Sequence, residues 1–203
     1  LGLTKGRIGH ESEAAYEPSS YASMHLYQNS LPRLLGHVAP RCTPQPADSL
    51  LAELKAVKTP HEIERIRQAC LVAHQAFRIG AHAFAVGASE AEAAAFFRVP
   101  LSAFALREPG VQRADGFVFC MSGPNSARAY GAYARSRGRR LAEGDLALVH
   151  CNSYVDGHWT DITRTYCLGR IDDRKQEMYD AMFAARGAAL AAIRPGVRAS
   201  DID

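Results

Sequence analysis

The sequence lacks any hydrophobic run that approaches the roughly 20 residues needed to cross a bilayer, so it predicts no membrane partner. It also shows no signal-peptide pattern at the start of the given chain. The net charge is only +3 at pH 7, which is too small to indicate a nucleic-acid partner. With 47% hydrophobic and 22% charged residues, the composition predicts a soluble globular protein.

The cysteines have no CxxC spacing and are odd in number, which argues against a disulfide framework. They are Cys42, Cys70, Cys120, Cys151 and Cys167. This usage predicts reduced thiols in a cytoplasmic protein. Cys151 follows His150, but side chains alternate along a strand, so we expect Cys151 to pack in the core.

A β-hairpin over residues 144–166 is the most informative feature that the sequence does contain. Residues 145–151 are apolar and β-prone, and residues 158–168 are rich in Thr, Tyr and Trp. Between them stands Asp156-Gly157, which is typical of a two-residue hairpin turn. Such a turn pairs Asn152 with Asp161 and His150 with Thr163.

This register predicts that His150 and Asp161 lie on one face of the sheet as diagonal neighbours. Their imidazole and carboxylate groups then converge and are candidates for binding one metal ion. Without a metal, we expect a direct hydrogen bond between them, and Asp161 is also interpretable as a purely structural carboxylate. Trp159 shares the face of Asp161. Two roles are open for its side chain, to line a substrate pocket or to fill the core.

Helix signals flank the hairpin. Thr59 and Glu62 form a predicted capping box with Pro60 at the first helical position, and Ser89 with Glu92 forms a second one. A strand is expected over residues 116–121. The last helix is expected over residues 172–194, with an apolar side formed by Met178, Met182, Phe183 and Leu190. Residues 1–48 are expected to be irregular with short strands, and the element order favours α+β.

Several of these segments resemble one known family. The stretch 161–165, DITRT, lies 11 positions after residue 150. Further similar segments are VKTPHEIERIRQA (57–69), SGPNSA (122–127) and IRPGVRASDID (193–203). They resemble the creatinase, prolidase and aminopeptidase P superfamily of pita-bread metallopeptidases. The resemblance implies that residues 51–203 form the first half of a pita-bread domain with a curved antiparallel sheet. Residues 1–50 would then be the end of an N-terminal domain with a linker.

The implied activity is metal-dependent hydrolysis of short, proline-containing peptides by metal-bound hydroxide, as in Xaa-Pro aminopeptidase and prolidase. Asp161 and His150 occupy two metal-ligand positions, for one or two ions of Mn, Co or Zn. This chain has His150 where the family has Asp. The family's other three ligands, a His and two Glu, come later in its sequences, so we expect the chain by itself to be inactive and a longer parent protein to be the enzyme.

A second departure from the family falls in the stretch GPNSARAYGAY. The family brings a His to the substrate here, whereas this chain has Tyr130. We expect Tyr130 either to contact the substrate or to pack on the loop's rim. Together, His150 and Tyr130 support an alternative, a catalytically inactive homologue that binds peptides or proteins. The expected partner is a short peptide, and a homodimer stays open.

The basic run ARSRGRRL at residues 134–141 predicts a solvated loop, since most clusters of Arg are exposed. A contact between one of these Arg residues and a peptide carboxylate is the second interpretation.

Overall fold

The computed structural model describes residues 5–10, 30–105, 107–128 and 135–202. Their elements, in chain order, are β1 (Gly6–His10), α1 (Ser30–Val38), β2 (Cys42–Pro46), α2 (Asp48–Ala56), α3 (Pro60–Ala83), α4 (Glu90–Ala105), β3 (Ala114–Ser122), β4 (Leu146–Val155), β5 (His158–Cys167) and α5 (Asp173–Ala192). The strands and helices over residues 60–192 agree with the predicted α+β order. The predicted strand over residues 116–121 is longer in the structure, which adds two residues before it and one after.

The main sheet is antiparallel and has the order β3-β4-β5. The predicted hairpin register is confirmed, because His150 pairs with Thr163 and Asn152 pairs with Asp161. Asp156 has φ +47° and Gly157 has φ +87°, so both turn residues are left-handed, as a type I′ turn requires. The turn therefore fixes the register on which the site depends.

Helices α3 and α4 cover one face of this sheet. Its buried strand residues alternate along β4, as Val149, Cys151 and Val155 illustrate. The helices contribute the other half of the core, including Phe97, which is fully buried. Gly80 of α3 lies so close to Phe97 that an added Cβ would stand 2.4 Å from the ring. In the part of the chain that the structure describes, the opposite face of the sheet is the more exposed one, and we call it the open face.

Both predicted capping boxes are present. Thr59 accepts from the backbone N–H of Glu62, whose carboxylate accepts from the backbone of Thr59 in return. The backbone N–H of Ser89 donates to the Glu92 carboxylate at 2.7 Å, and the backbone N–H of Glu92 donates to the Ser89 hydroxyl at 3.1 Å. Each box satisfies helix-terminal N–H groups that would otherwise lack a partner.

The turn of the hairpin is clamped to the rest of the fold by Asp156. Its carboxylate accepts from the backbone N–H of Arg113 at 2.8 Å and that of Gln112 at 3.2 Å. It also pairs with Arg65 of α3 at 3.3 Å. One side chain thus joins the hairpin turn, the entry to β3 and the helix layer.

The N-terminal part contains the expected short strands, and β1 and β2 pair in parallel. The nine-residue helices α1 and α2 differ from the prediction. Helix α2 buries none of its residues. Its sequence therefore has no periodic pattern of core positions from which a helix could be predicted. The division of the chain at residue 50 stays a prediction.

Helix α5 follows the prediction in position, and its N-cap is Asp172, which accepts from the backbone of Lys175. Its expected apolar side is present but exposed. Met178, Met182, Phe183 and Leu190 are each more than half accessible. Among the described helices, none is both long and apolar enough to cross a membrane.

Candidate functional site

The open face of the sheet carries the predicted pair. His150 Nδ1 lies 3.6 Å from Asp161 Oδ1, so the two side chains converge across adjacent strands. Asp161 is the more accessible of the two, with 64% of its side chain exposed. This exposed carboxylate is a hydrogen-bond acceptor that a ligand on the open face can reach.

His150 has both ring nitrogens engaged. Nε2 lies 2.7 Å from the side-chain amide nitrogen of Asn152, and Nδ1 lies 3.0 Å from the hydroxyl oxygen of Thr163. If the amide donates to Nε2, the ring proton is on Nδ1. The Thr163 hydroxyl lies closer to Nδ1 than the Asp161 carboxylate does. The direct hydrogen bond expected between His150 and Asp161 is therefore not made.

These residues do not complete a metal site as they stand. Within the described ranges, no group of three or more His, Cys, Asp or Glu side chains could hold a metal ion. Cys151 points into the core, as predicted, and burial raises the pKa of its thiol to about 11. Asp161 is thus an available donor, whereas His150 would have to release Asn152 or Thr163 before it could bind a metal.

A buried carboxylate holds the loop that follows β3. Glu90, at the start of α4, is fully buried and accepts from both the backbone and the hydroxyl of Ser122, at 2.7 and 2.8 Å. It also accepts from the Asn125 amide at 2.7 Å and the backbone of Arg137 at 2.9 Å. These bonds hold the short 3-10 helix Gly123–Arg128 in place.

Arg139 continues this network and is an exception to the predicted solvated Arg run, whose members Arg135, Arg137 and Arg140 are exposed as predicted. Its guanidinium donates to both carboxylate oxygens of Asp145, at 2.5 and 3.0 Å, and to the hydroxyl of Ser122 at 2.7 Å. The hydrogen bonds from Arg139 lower the pKa of Asp145, although partial burial opposes the shift. The sequence did not indicate the organising role of Glu90, because its partner Ser122 lies 32 positions away. The role of Arg139 was not indicated either, because Arg139 stands within a run of Arg residues typical of a solvated loop.

The remaining predicted positions have different outcomes. Tyr130 lies outside the described residues, and its substrate contact stays a prediction. Trp159 is 56% exposed, so its interpretation as a core residue is wrong and it stands on the same open face as Asp161. The metal role of His150 and Asp161 also stays a prediction.

Comparison with known proteins supports the family resemblance. The sequence model of metallopeptidase family M24 matches residues 64–203. The probable dipeptidase PepE of Mycobacterium tuberculosis is 32% identical over all 203 residues, which span 50% of that protein. The Xaa-Pro dipeptidase of Pyrococcus furiosus is 27% identical over 156 residues, which are 77% of this chain and 42% of that protein. The chain thus spans about half the length of these relatives.

Solved structures give the same result for the fold. The prolidase from Pyrococcus furiosus superposes with a TM-score of 0.71 at 23% identity, covering 99% of this chain and 54% of that one. A dipeptidase from Pyrococcus horikoshii OT3 gives a TM-score of 0.73 at 25% identity, covering 100% of this chain and 51% of that one.

Proposed function

The chain belongs to metallopeptidase family M24, and on this premise we propose that the protein is a peptidase that cleaves short, proline-containing peptides. The observation that carries the proposal is the family match over residues 64–203. Relatives named as dipeptidase and Xaa-Pro dipeptidase point to short peptides as the substrates. The chain spans half or less of these relatives, so the proposal concerns the protein to which this sequence contributes.

We place the residues of this chain on one side of the peptide cleft. Residues 51–203 are proposed as the first half of a pita-bread domain, with the open face of β3-β4-β5 toward the substrate. Residues 1–50 are proposed as the end of an N-terminal domain and a linker. The free cysteines agree with the cytoplasmic location that we propose.

Asp161 is the residue of this face that we propose as a retained functional group. Its exposed carboxylate is free to accept a hydrogen bond from a peptide or to serve as one donor to a divalent ion such as Mn, Co or Zn. His150 is proposed as a second donor only where Asn152 turns away. The described donors do not by themselves complete a metal centre.

The test is peptide hydrolysis by the protein encoded by the complete gene, purified without added metal. We expect it to cleave Ala-Pro faster than Ala-Ala, to contain bound divalent metal, and to lose activity on Asp161→Ala. Asp180→Ala is the matched control, because Asp180 lies on the exposed surface of α5, where its carboxylate accepts a hydrogen bond from the Gln176 side chain. Retained activity in the Asp161 variant would refute the proposed role of this residue.

One observation favours the second candidate function, a catalytically inactive peptide-binding module. The Asn152 amide occupies Nε2 of His150, at the position where the resembled family has a carboxylate ligand. If the complete protein binds dipeptides but neither holds metal nor cleaves them, the binding module replaces the peptidase. Cleavage with stoichiometric metal would remove this alternative.

A further inference from the structure

The chain leaves the sheet at the end of β3 and returns to it in β4, and a buried carboxylate joins the outgoing and the returning part of this connection. Oε2 of Glu90 accepts from the side-chain amide of Asn125 on the outgoing part at 2.7 Å and from the backbone N–H of Arg137 on the returning part at 2.9 Å. The Asn125 amide also donates to the backbone carbonyl of Arg135 at 3.0 Å. We call the junction of these four residues the neck.

The neck is fixed to the rest of the fold on both sides. On the outgoing side, the backbone and the hydroxyl of Ser122 donate to Oε1 of Glu90. On the returning side, the backbone N–H of Glu90 donates to the carbonyl of Arg139 at 2.9 Å, and the Ser136 hydroxyl accepts from the backbone N–H of Cys120 at 2.9 Å. The position of the neck relative to β3 and α4 is therefore determined.

The burial of Glu90 indicates that the neck has a role beyond stability. Its carboxylate is fully buried, and the removal of a charge from water is unfavourable. The N-terminus of α4 and four hydrogen bonds offset this cost. A buried polar network contributes little net stability compared with apolar residues of the same volume, but it specifies one arrangement of the groups that it joins. The benefit of Glu90 therefore lies in the geometry that it fixes.

The stretch between the two sides of the neck, residues 126–134, depends on this geometry. It includes Tyr130, the residue predicted to contact the substrate, which itself lies outside the described residues. Because Asn125 and Arg135 are hydrogen-bonded to each other, a shift of the neck displaces both ends of the stretch together. Small displacements of a contacting group are enough to weaken its interaction with a substrate.

We propose that Glu90 is a positioning residue for peptide binding, which acts on the peptide through Tyr130. The phenol of Tyr130 donates a hydrogen bond to the peptide, and Glu90 sets the place of the phenol by holding the two ends of its segment together. The inference rests on the proposed function for its peptide substrate. It adds a buried residue, remote from the open face, that determines how tightly this peptide is held.

Kinetics of the complete protein with Ala-Pro test the proposal. Tyr130→Phe removes only the hydroxyl and should raise KM by about two- to thirteenfold, the range for one hydrogen bond, at unchanged kcat. Glu90→Gln keeps the size of the side chain but turns an NH2 group toward donors, so it should raise KM to a similar extent. In Glu90→Gln/Tyr130→Phe the two effects should not add, because both remove the same contact.

A second variant and a control accompany these measurements. Asn125→Ala opens the neck but leaves Glu90 its bonds from Ser122 and Arg137, so it should fold even if Glu90→Gln does not. It should raise KM and should likewise not add to Tyr130→Phe. Glu64→Gln, at an exposed position of α3, is the matched control and should leave KM unchanged. Circular dichroism verifies that each variant folds.

The outcome for Glu90 can be separated from the outcome for catalysis. If the complete protein binds Ala-Pro without cleaving it, the dissociation constant from calorimetry replaces KM, and non-additive weakening supports the positioning role while it refutes the peptidase. Cleavage with additive effects of the two substitutions, or with unchanged KM in the folded neck variants or in Tyr130→Phe, supports the peptidase and overturns the positioning role. Absence of both binding and cleavage would overturn both proposals.

Discussion

Asn152 holds its side-chain amide 2.7 Å from Nε2 of His150, which lies two positions earlier on the same strand and face. The contact keeps the imidazole hydrogen-bonded within the protein. While this contact is made, Nε2 is not available as a ligand, and Nε2 is the ring nitrogen through which His150 would bind a metal on this face.

Removal of this amide should expose the imidazole. We expect Asn152→Ala to raise the zinc affinity of the chain by about two- to thirteenfold, since one hydrogen bond of about 0.5–1.5 kcal/mol no longer competes. Isothermal titration calorimetry measures the change, and Asn152→Gln keeps an amide as the control. The gain should vanish in Asn152→Ala/His150→Ala. An unchanged affinity in the single variant would show that Asn152 does not mask His150.

The ion pair between Arg139 and Asp145 should make stability depend on acid. Hydrogen bonds from Arg139 lower the pKa of Asp145 in the folded state, so the stabilisation is present above the ordinary Asp pKa of about 4 and is lost as the pH falls through the lowered value. Asp145→Asn should reduce the free energy of unfolding at pH 7 by about 1.5–3 kcal/mol and weaken its dependence on acid.

Urea unfolding at pH 7, 5 and 3 provides the measurement for this pair. Asp180→Asn, on the exposed surface of α5, should change stability by no more than about 0.5 kcal/mol. If Asp145→Asn behaves like this control at pH 7, the pair contributes nothing beyond an ordinary surface contact.

Close packing at Gly80 gives a second stability prediction. An added Cβ would stand 2.4 Å from Phe97, so Gly80→Ala must displace a fully buried ring and should destabilise the fold by about 1–3 kcal/mol. Gly187 also lies in a helix, but nothing lies within 4 Å of its Cβ position. Gly187→Ala should therefore stabilise the chain by about 0.4–1 kcal/mol. Thermal unfolding measures whether each variant is more or less stable than the parent chain. Destabilisation by both substitutions would contradict these expectations.

Thiol reactivity should follow burial. Cys70 is exposed, whereas burial raises the pKa of Cys120 to about 12 and that of Cys151 to about 11. Because the thiolate is the reactive form, iodoacetamide at pH 8 should modify Cys70 and leave Cys120 and Cys151 unmodified until urea is added. Peptide mass spectrometry locates the label. Labelling of Cys151 in the folded chain would indicate that β4 opens readily.

The hairpin and the helix starts were predictable because local chemistry determines them. Asp156-Gly157 selects the turn, the turn sets the register, and strand alternation then places His150 beside Asp161. The capping boxes are equally local, since their partners lie three residues apart. The M24 resemblance added the fold, which pattern alone would have limited to α+β.

Contacts that depend on side-chain conformation could not be predicted in this way. The amide of Asn152 occupies Nε2 of His150 only in one arrangement of two rotatable side chains. Arg139 was grouped with exposed Arg residues, although its partner Asp145 lies only six positions away. Glu90 meets Ser122 across 32 positions, and no periodicity relates residues at that distance.

The clamp at Asp156 has a consequence for the order in which the chain folds. The hairpin closes between neighbouring residues, whereas Asp156 meets the backbone of Gln112 across 44 positions and Arg65 across 91. Closing such long loops costs more chain entropy, so these contacts form after the local turn. An interaction absent from the transition state slows unfolding without speeding folding. We therefore expect the carboxylate contacts of Asp156 to lengthen the time for which the hairpin stays docked on α3, an effect separate from the role of Asp156 in the turn itself.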